Sequence, residues 1–238
     1  MTNTKPLDGQ TALVTGASRG IGAATAIALA EAGAHVILVA RKVKALELIE
    51  DKIHEIGGTS TIAPVDLTEQ DAISRLAGAI ASRWDTLDIL CLSAAYLPEL
   101  TPISQIDPKQ FNQAMMINVV ANQAMLAAFD PLVRRAKNGR VIGLTSSVGA
   151  DPRAFWGAYG STKAAFDNLL ETYAVESEKI SPLRVAIVDP GATRTEMRAR
   201  AYPGENPETV KPPEAVAERI VALVQEDFTT GHRERVDG

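Results

Sequence analysis

An α/β domain built on a parallel sheet is the fold class this sequence predicts, and three observations predict it. Short apolar runs of strand type alternate with helical patterns along the whole chain. The first strand and helix are joined by a turn bearing three glycines, Gly16, Gly20 and Gly22. No linker, repeat or low-complexity break interrupts the alternation, so residues 1–238 read as one domain.

Thr11-Ala12-Leu13-Val14 is the first strand. It runs into Thr15-Gly16-Ala17-Ser18-Arg19-Gly20-Ile21-Gly22, and an Ala-rich helical pattern follows to about Ala32, stopped by Gly33. His35-Val36-Ile37-Leu38-Val39-Ala40 is the second strand. Strand, glycine turn, helix and strand within about thirty residues form the βαβ unit that binds dinucleotides. Glycines let the backbone turn sharply and approach a pyrophosphate, while the helix start offers N–H groups to phosphates. The spacing here is Gly16-x-x-x-Gly20-x-Gly22, not G-x-G-x-x-G. In such units an acid at the end of the second strand binds the ribose 2′-hydroxyl. This chain has Ala40 there, followed by Arg41. With no carboxylate to repel it, a 2′-phosphate can pair with Arg41, and Arg19 sits on the phosphate-side turn. The expected cofactor is therefore NADP(H) rather than NAD(H), with solvation of both arginines at the surface, above all Arg41, as the competing explanation.

Residues 43–56 read as a helix closed by Gly57 and Gly58. A third strand at 61–65 ends in Asp66-Leu67, and 69–84 is the next helix. Residues 87–92 form a buried fourth strand, followed by Ser93-Ala94-Ala95 and a proline-bearing loop to residue 108. The helix expected over 111–129 carries Asn118, a poor interior helix residue that needs a hydrogen-bond reason or a place at the surface. The fifth strand, 140–146, leads through Ser147 to a helix containing Tyr159. Residues 184–189 are the sixth strand, Pro190-Gly191-Ala192-Thr193-Arg194-Thr195 follows it, and a substrate-side loop region near 190–213 is expected. A helix over 214–225 and a short strand near 233–236 close the chain. Ligands of such sheets bind at the carboxyl ends of the strands, where all these segments lie.

Composition narrows the function classes. With 24 basic and 29 acidic residues, the net charge of −5 and the absence of a basic run argue against nucleic acid. The lone cysteine, Cys91, lies in an apolar run and reads as an inert thiol; the three histidines lie far apart, so no metal site is expected. The opening Met1-Thr2-Asn3-Thr4-Lys5-Pro6-Leu7-Asp8 lacks the apolar core of a signal peptide, and the most apolar tract, 21–40, is interrupted by Glu31, Gly33 and His35. A cytoplasmic protein without membrane association is the expectation.

The candidate chemistry centres on Tyr159-Gly160-Ser161-Thr162-Lys163. On a helix, Tyr159 and Lys163 stand one turn apart on one face. An ammonium beside a phenol favours the phenolate, which would lower the Tyr159 pKa and suit it to proton transfer at a reacting oxygen. One such pair is weak alone. The serines Ser146 and Ser147 upstream and the glycine turn strengthen it.

Together these segments resemble the short-chain dehydrogenase/reductase family from Leu7 to Gly238. The matching pieces are the Thr15–Gly22 turn, Asp66-Leu67, Asn118, Ser146-Ser147-x-Gly149, Tyr159-x-x-x-Lys163 and Pro190-Gly191. The resemblance implies a doubly wound, Rossmann-type parallel sheet of about seven strands with helices on both faces, and a homo-oligomer, usually a tetramer. It further implies hydride transfer between a nicotinamide and a carbonyl or secondary alcohol. Carried over, Tyr159 would be the general acid/base, and Lys163 would hold the nicotinamide ribose and lower the Tyr159 pKa. Ser147 would bond the substrate oxygen, with Ser146 left open as the alternative, and Asn118 would order a water linking Lys163 to solvent. Cofactor contacts would come from Gly16, Ser18, Arg19, Gly20, Ile21, Gly22, Arg41, Asp66, Leu67, Ala94, Pro190, Gly191, Thr193 and Thr195, besides Tyr159 and Lys163. Asp66 would face the adenine, and Thr193 and Thr195 the nicotinamide amide and phosphates. One departure stands out: the family's Asn-Asn-Ala-Gly after the fourth strand is here Leu92-Ser93-Ala94-Ala95. It is the sole support for an alternative, a non-catalytic nicotinamide-binding sensor or scaffold. A serine-hydrolase elbow is discounted, because Thr145 stands where G-x-S-x-G needs glycine and His232 is the one histidine that follows.

Overall fold

The computed structural model describes residues 4–237; Met1, Thr2 and Asn3 of the polar opening segment, and Gly238, lie outside the described residues. The strands are β1 (Thr11–Thr15), β2 (His35–Ala40), β3 (Thr59–Pro64), β4 (Ile89–Leu92), β5 (Arg140–Leu144), β6 (Arg184–Asp189) and β7 (His232–Arg235). The helices are α1 (Gly20–Glu31), α2 (Val43–Glu55), α3 (Ala72–Ala81), α4 (Pro108–Met115), α5 (Ala121–Arg135), α6 (Gly157–Ser177), α7 (Glu196–Ala201) and α8 (Pro213–Gln225). The strands pair in parallel in the order β3-β2-β1-β4-β5-β6-β7. The chain leaves β1 in one direction and returns to its other side with β4, and ligands of such sheets bind outside the strand ends at that switch point. This is the doubly wound α/β class expected.

Strand alternation builds two cores. On β2, Val36 and Leu38 face one way and pack with Leu29 of α1, Leu46 and Ile53 of α2 and Ile220 of α8. Ile37 and Val39 face the other way, with Leu76 of α3, Phe129 of α5 and Phe166 and Leu170 of α6. Both faces are covered, so the central strands are apolar throughout, as parallel sheets require. Gly143 in β5 serves this packing: a Cβ there would lie 2.2 Å from Leu170 Cδ1. The glycine lets α6, which carries Tyr159 and Lys163, lie close on the sheet.

Several boundaries differ from expectation. α3 begins at Ala72 rather than Glu69, because Asp71 sits at φ +57° and breaks the preceding turn. The helix expected over 111–129 is two helices joined by a π-turn, Met116–Val120, and it runs on through Pro131 to Arg135. Residues 108–135 are long and apolar enough in composition to cross a bilayer. Their buried side chains, Met125, Phe129 and Leu132 among them, are instead part of the core against the sheet. The 190–213 region, read as loop, contains α7, capped by Thr195 accepting from the Arg198 N–H at 3.1 Å.

Candidate active site

The glycine turn is shaped for close approach. Gly16 and Gly20 have φ of +68° and +56°, which glycine adopts without a Cβ clash. A Cβ at Gly22 would lie 2.4 Å from the Gly16 carbonyl oxygen. No side chain caps the start of α1, so its first N–H groups suit a phosphate. Ser18 and Ile21 are half-buried beside the turn.

The altered segment after β4 has a backbone explanation. Thr15 Oγ1 accepts from the Ser93 N–H at 3.0 Å and the Ala94 N–H at 3.1 Å. The Ala94 backbone packs so closely on the turn that a Cβ at Gly16 would come within 3.0 Å of it. This wall is therefore held through the main-chain N–H groups of Ser93 and the retained Ala94, which do not need the amide side chain lost at Ser93; the changes at Leu92 and Ala95 have no structural explanation. Thr15 is a residue that sequence reasoning placed in the motif without giving it a role.

Across the cleft, α6 presents Tyr159 and Lys163 one turn apart, both buried. Lys163 Nζ donates to the Leu144 carbonyl at 2.7 Å and lies 5.6 Å from the Tyr159 ring centroid. Asn118 is fully buried at the π-turn, so its reading as a surface residue is excluded. Its Oδ1 accepts from the Tyr96 N–H at 2.7 Å, and its Nδ2 donates to the Tyr96 carbonyl and Thr162 Oγ1, each at 2.9 Å. The amide thus clamps the loop after β4 to α6. Ser146 continues β5 in extended conformation, and Ser147 opens a short 3₁₀ turn, Ser147–Gly149. Ser147 Oγ accepts from Arg153 Nη2 at 3.0 Å, whereas no side-chain partner engages Ser146 among the described residues.

The electrostatics correct one expectation. Tyr159 is not acidified here: burial raises its pKa well above the ordinary phenol range, and Asp189 adds to this. Lys163 is pulled down to about 8 by burial, against the opposing pull of Asp167 and Asp189. The reason is apolar packing. Tyr159 packs with Leu97, Val148, Trp156 and Met197 of α7, and its hydroxyl lies 4.0 Å from Met197 Sδ. The Trp156 ring stands 6.0 Å from Tyr159 and 5.9 Å from Tyr202. With the phenol under apolar cover, burial leads the rise and the Asp189 carboxylate adds to it. Cys91, as expected, is an inert buried thiol, pushed up to about 12 by burial.

The two arginines do not meet each other. Arg19 ion-pairs with Glu196 of α7, and Arg41 stands 3.9 Å from Asp66. Burial works to raise the Asp66 pKa, but Thr68, through its hydroxyl and its N–H, and Arg41 hold it below the usual carboxylate range. Leu67 follows, half-buried. After β6, Asp189 Oδ1 accepts from the Gly191 N–H at 2.9 Å, and Thr193 Oγ1 donates to the Pro190 carbonyl at 2.9 Å. Thr195 reaches the glycine turn, since a Cβ at Gly20 would meet its Cγ2 at 3.3 Å. The structure thus gathers the glycine turn, Ala94, Asn118, the serines, Tyr159, Lys163 and 190–195 at the carboxyl ends of the central strands. Met197 lies in the 190–213 region expected on the substrate side; the sequence did not show that this stretch forms α7, nor that Glu196 pairs with Arg19. No group of metal-ligating side chains occurs among the described residues.

Comparison with known proteins agrees with this geometry. The family model described as short chain dehydrogenase matches residues 10–206. The protein described as uncharacterized oxidoreductase YciK of Escherichia coli K12 is 34% identical over 218 residues, 90% of this chain and 86% of its own. A short chain dehydrogenase structure from Pseudomonas syringae superposes with a TM-score of 0.95 at 36% identity, covering 100% of this chain and 98% of the other. One from Shigella flexneri 2a, complexed with NADP, gives 0.92 at 33% identity, covering 98% and 99%. A glycine-lined cradle at the switch point, a Tyr-Lys pair across from it and a match over most of the sequence converge on one conclusion: the chain belongs to the short chain dehydrogenase family of oxidoreductases.

Proposed function

We propose that the protein transfers a hydride between NADP(H) and a carbonyl or secondary alcohol, with Tyr159 as the acid/base. The observation that carries this reading is the buried Tyr159–Lys163 pair facing the glycine cradle. The cradle suits a dinucleotide on its own geometry: a Cβ would fill it at Gly16 and Gly22, and the α1 start lacks a side-chain cap. The 2′-phosphate would be taken by Arg41 and Arg19, a reading supported by the NADP held in the Shigella relative. The nicotinamide, when bound, supplies or accepts the hydride. The protein's part is to hold the substrate oxygen and manage its proton. Negative charge growing on that oxygen would be met by a serine hydroxyl and by Tyr159, which donates its proton. Lys163 would hold the nicotinamide ribose, with Asn118 fixing the loop and helix around it.

For the serine, the sequence favours Ser147, whose oxygen accepts from Arg153 and so ties that side chain to the following loop; Ser146 has no side-chain partner among the described residues, so its hydroxyl can turn to a substrate oxygen. Ser146 is therefore the preferred donor. The apolar cover of Tyr159 by Leu97, Trp156 and Met197 supports an apolar or aromatic carbonyl compound as substrate. The altered segment after β4 no longer favours a sensor, because Thr15 holds its backbone. Self-association, as the resemblance implies, is part of the same proposal.

The test is a screen of carbonyls and alcohols followed by NADPH absorbance. Tyr159→Phe should bind NADPH normally and lose turnover by roughly 10²–10⁴-fold; Ser146→Ala should fall far more than Ser147→Ala. A wild type inert across the whole panel would overturn the redox reading, and the reverse order of the serine variants would restore Ser147.

A further inference from the structure

Behind the Tyr-Lys pair lies a charged network that the mechanism above does not use. Asp167 follows Lys163 by one turn of α6 and is buried. Thr145 Oγ1 donates to Asp167 Oδ1, and the Thr145 N–H donates to the Val188 carbonyl at 2.9 Å. Thr145 directly follows Leu144, whose carbonyl holds Lys163. Lys163 and Asp167 are therefore anchored on adjacent residues at the end of β5.

The network continues into the last strand. Arg233 of β7 donates to Asp167 Oδ2 at 3.0 Å and, through its other nitrogen, to Glu171 Oε1 at 2.9 Å. Two residues on, Arg235 stands 3.7 Å from Asp189 Oδ2. Side chains two apart on a strand share a face, so β7 places one guanidinium behind each carboxylate near Lys163. Lys163 Nζ is held by the Leu144 carbonyl of β5 and lies 5.6 Å and 5.5 Å from the Tyr159 and Phe166 ring centroids of α6; Asp167 of α6 and Asp189 of β6 are the charges whose fields reach it, without a direct ion pair. Arg233 and Arg235 act on it through the two aspartates. A buried ammonium needs such counter-charge to keep its proton.

We propose that Asp167 is a positioning residue of the reaction: with Thr145 it fixes the strand end that anchors Lys163, and its carboxylate, shared with Arg233, is the counter-charge that keeps Lys163 an ammonium. The assignment of a purpose to that ammonium rests on the reading that Lys163 serves Tyr159 and the cofactor. The charge relation itself does not.

The network makes a prediction of opposite signs. Asp167→Asn removes the counter-charge and should move the Lys163 titration midpoint to lower pH, by about one pH unit. Arg233→Gln leaves the Asp167 carboxylate less neutralised and should move the midpoint to higher pH. The measurement is a pH titration of the Lys163 ¹³Cε resonance in ¹³C-lysine-labelled full-length protein, the signal assigned by its loss in Lys163→Arg. Arg233 is partly exposed, so Arg233→Gln decides the matter even if Asp167→Asn fails to fold. A Lys163 midpoint unmoved by Arg233→Gln, or moved by both variants in the same direction, would overturn the proposal. No turnover is needed for this readout, so it survives a failure of the redox reading. With a substrate in hand, Asp167→Asn should also shift the alkaline limb of the kcat/KM profile for reduction to lower pH, which a lesion in packing alone would not do.

Discussion

Lys163 carries its charge at the expense of the fold. Its pKa falls from 10.5 to about 8, first through burial, with Asp167 and Asp189 opposing the fall. Below about pH 8 both folded and unfolded chains hold the proton, and the folded state bears the full desolvation cost. Between about 8 and 10.5 the unfolded chain binds more protons than the folded one, so this group makes stability rise with pH in that window. Lys163→Met should therefore raise stability at neutral pH, on the order of 1–3 kcal/mol, and the gain over wild type should shrink as pH climbs toward about 10. Thermal unfolding across that range checks it; a variant less stable than wild type at neutral pH would contradict the sign. The helical spacing of Tyr159 and Lys163 was legible in the sequence, but the direction of the tyrosine's shift was not. Spacing reports which groups are neighbours, whereas desolvation depends on Trp156 and Met197 folding over the phenol from distant segments.

At the scale of elements, the sequence flagged Asn118 as a helix residue in need of a hydrogen-bond reason, and the π-turn supplies it. Three hydrogen bonds engage its side-chain amide, one accepted from the Tyr96 N–H and two donated, to the Tyr96 carbonyl and Thr162 Oγ1. Its own carbonyl accepts from Asn122 Nδ2 at 2.9 Å. Asn118→Ala would leave the Tyr96 N–H and carbonyl without these partners beneath α6. It should cost about 2–4 kcal/mol and loosen the loop that walls the cleft. Urea unfolding measures the first effect, and faster amide exchange at Tyr96 the second. Strands and long helices were legible because period-2 and period-3.6 patterns survive in the sequence. The π-turn and α7 were not, since one extra residue in a helix and a six-residue helix leave no periodicity. For α7 the local signal was the cap itself, Thr195 followed by Glu196 in the first turn.

For the whole molecule, the alternation of strands and helices was enough to read the parallel sheet, and the sheet order then fixes where the cleft must lie. What it leaves open is how the two ends of the chain meet across that cleft. Arg19 and Glu196 are 177 residues apart and pair over it, while Arg41 reaches the end of β3 at Asp66. Both guanidiniums therefore rest on exposed or half-exposed carboxylates, pairs worth little in water. On the proposed reading a 2′-phosphate would offer each a doubly charged, geometrically matched partner, and exchange from carboxylate to phosphate would be downhill. Of the two, Arg41 directly follows the strand end where the ribose hydroxyls are read. Arg41→Asp would replace attraction by repulsion beside Asp66 and weaken NADPH by roughly tenfold to a hundredfold. NADH lacks the phosphate and should lose little. Fluorescence titration with both cofactors checks this; equal losses for the two would show that Arg41 does not read the phosphate and would leave Arg19, freed from Glu196, as the residue that does.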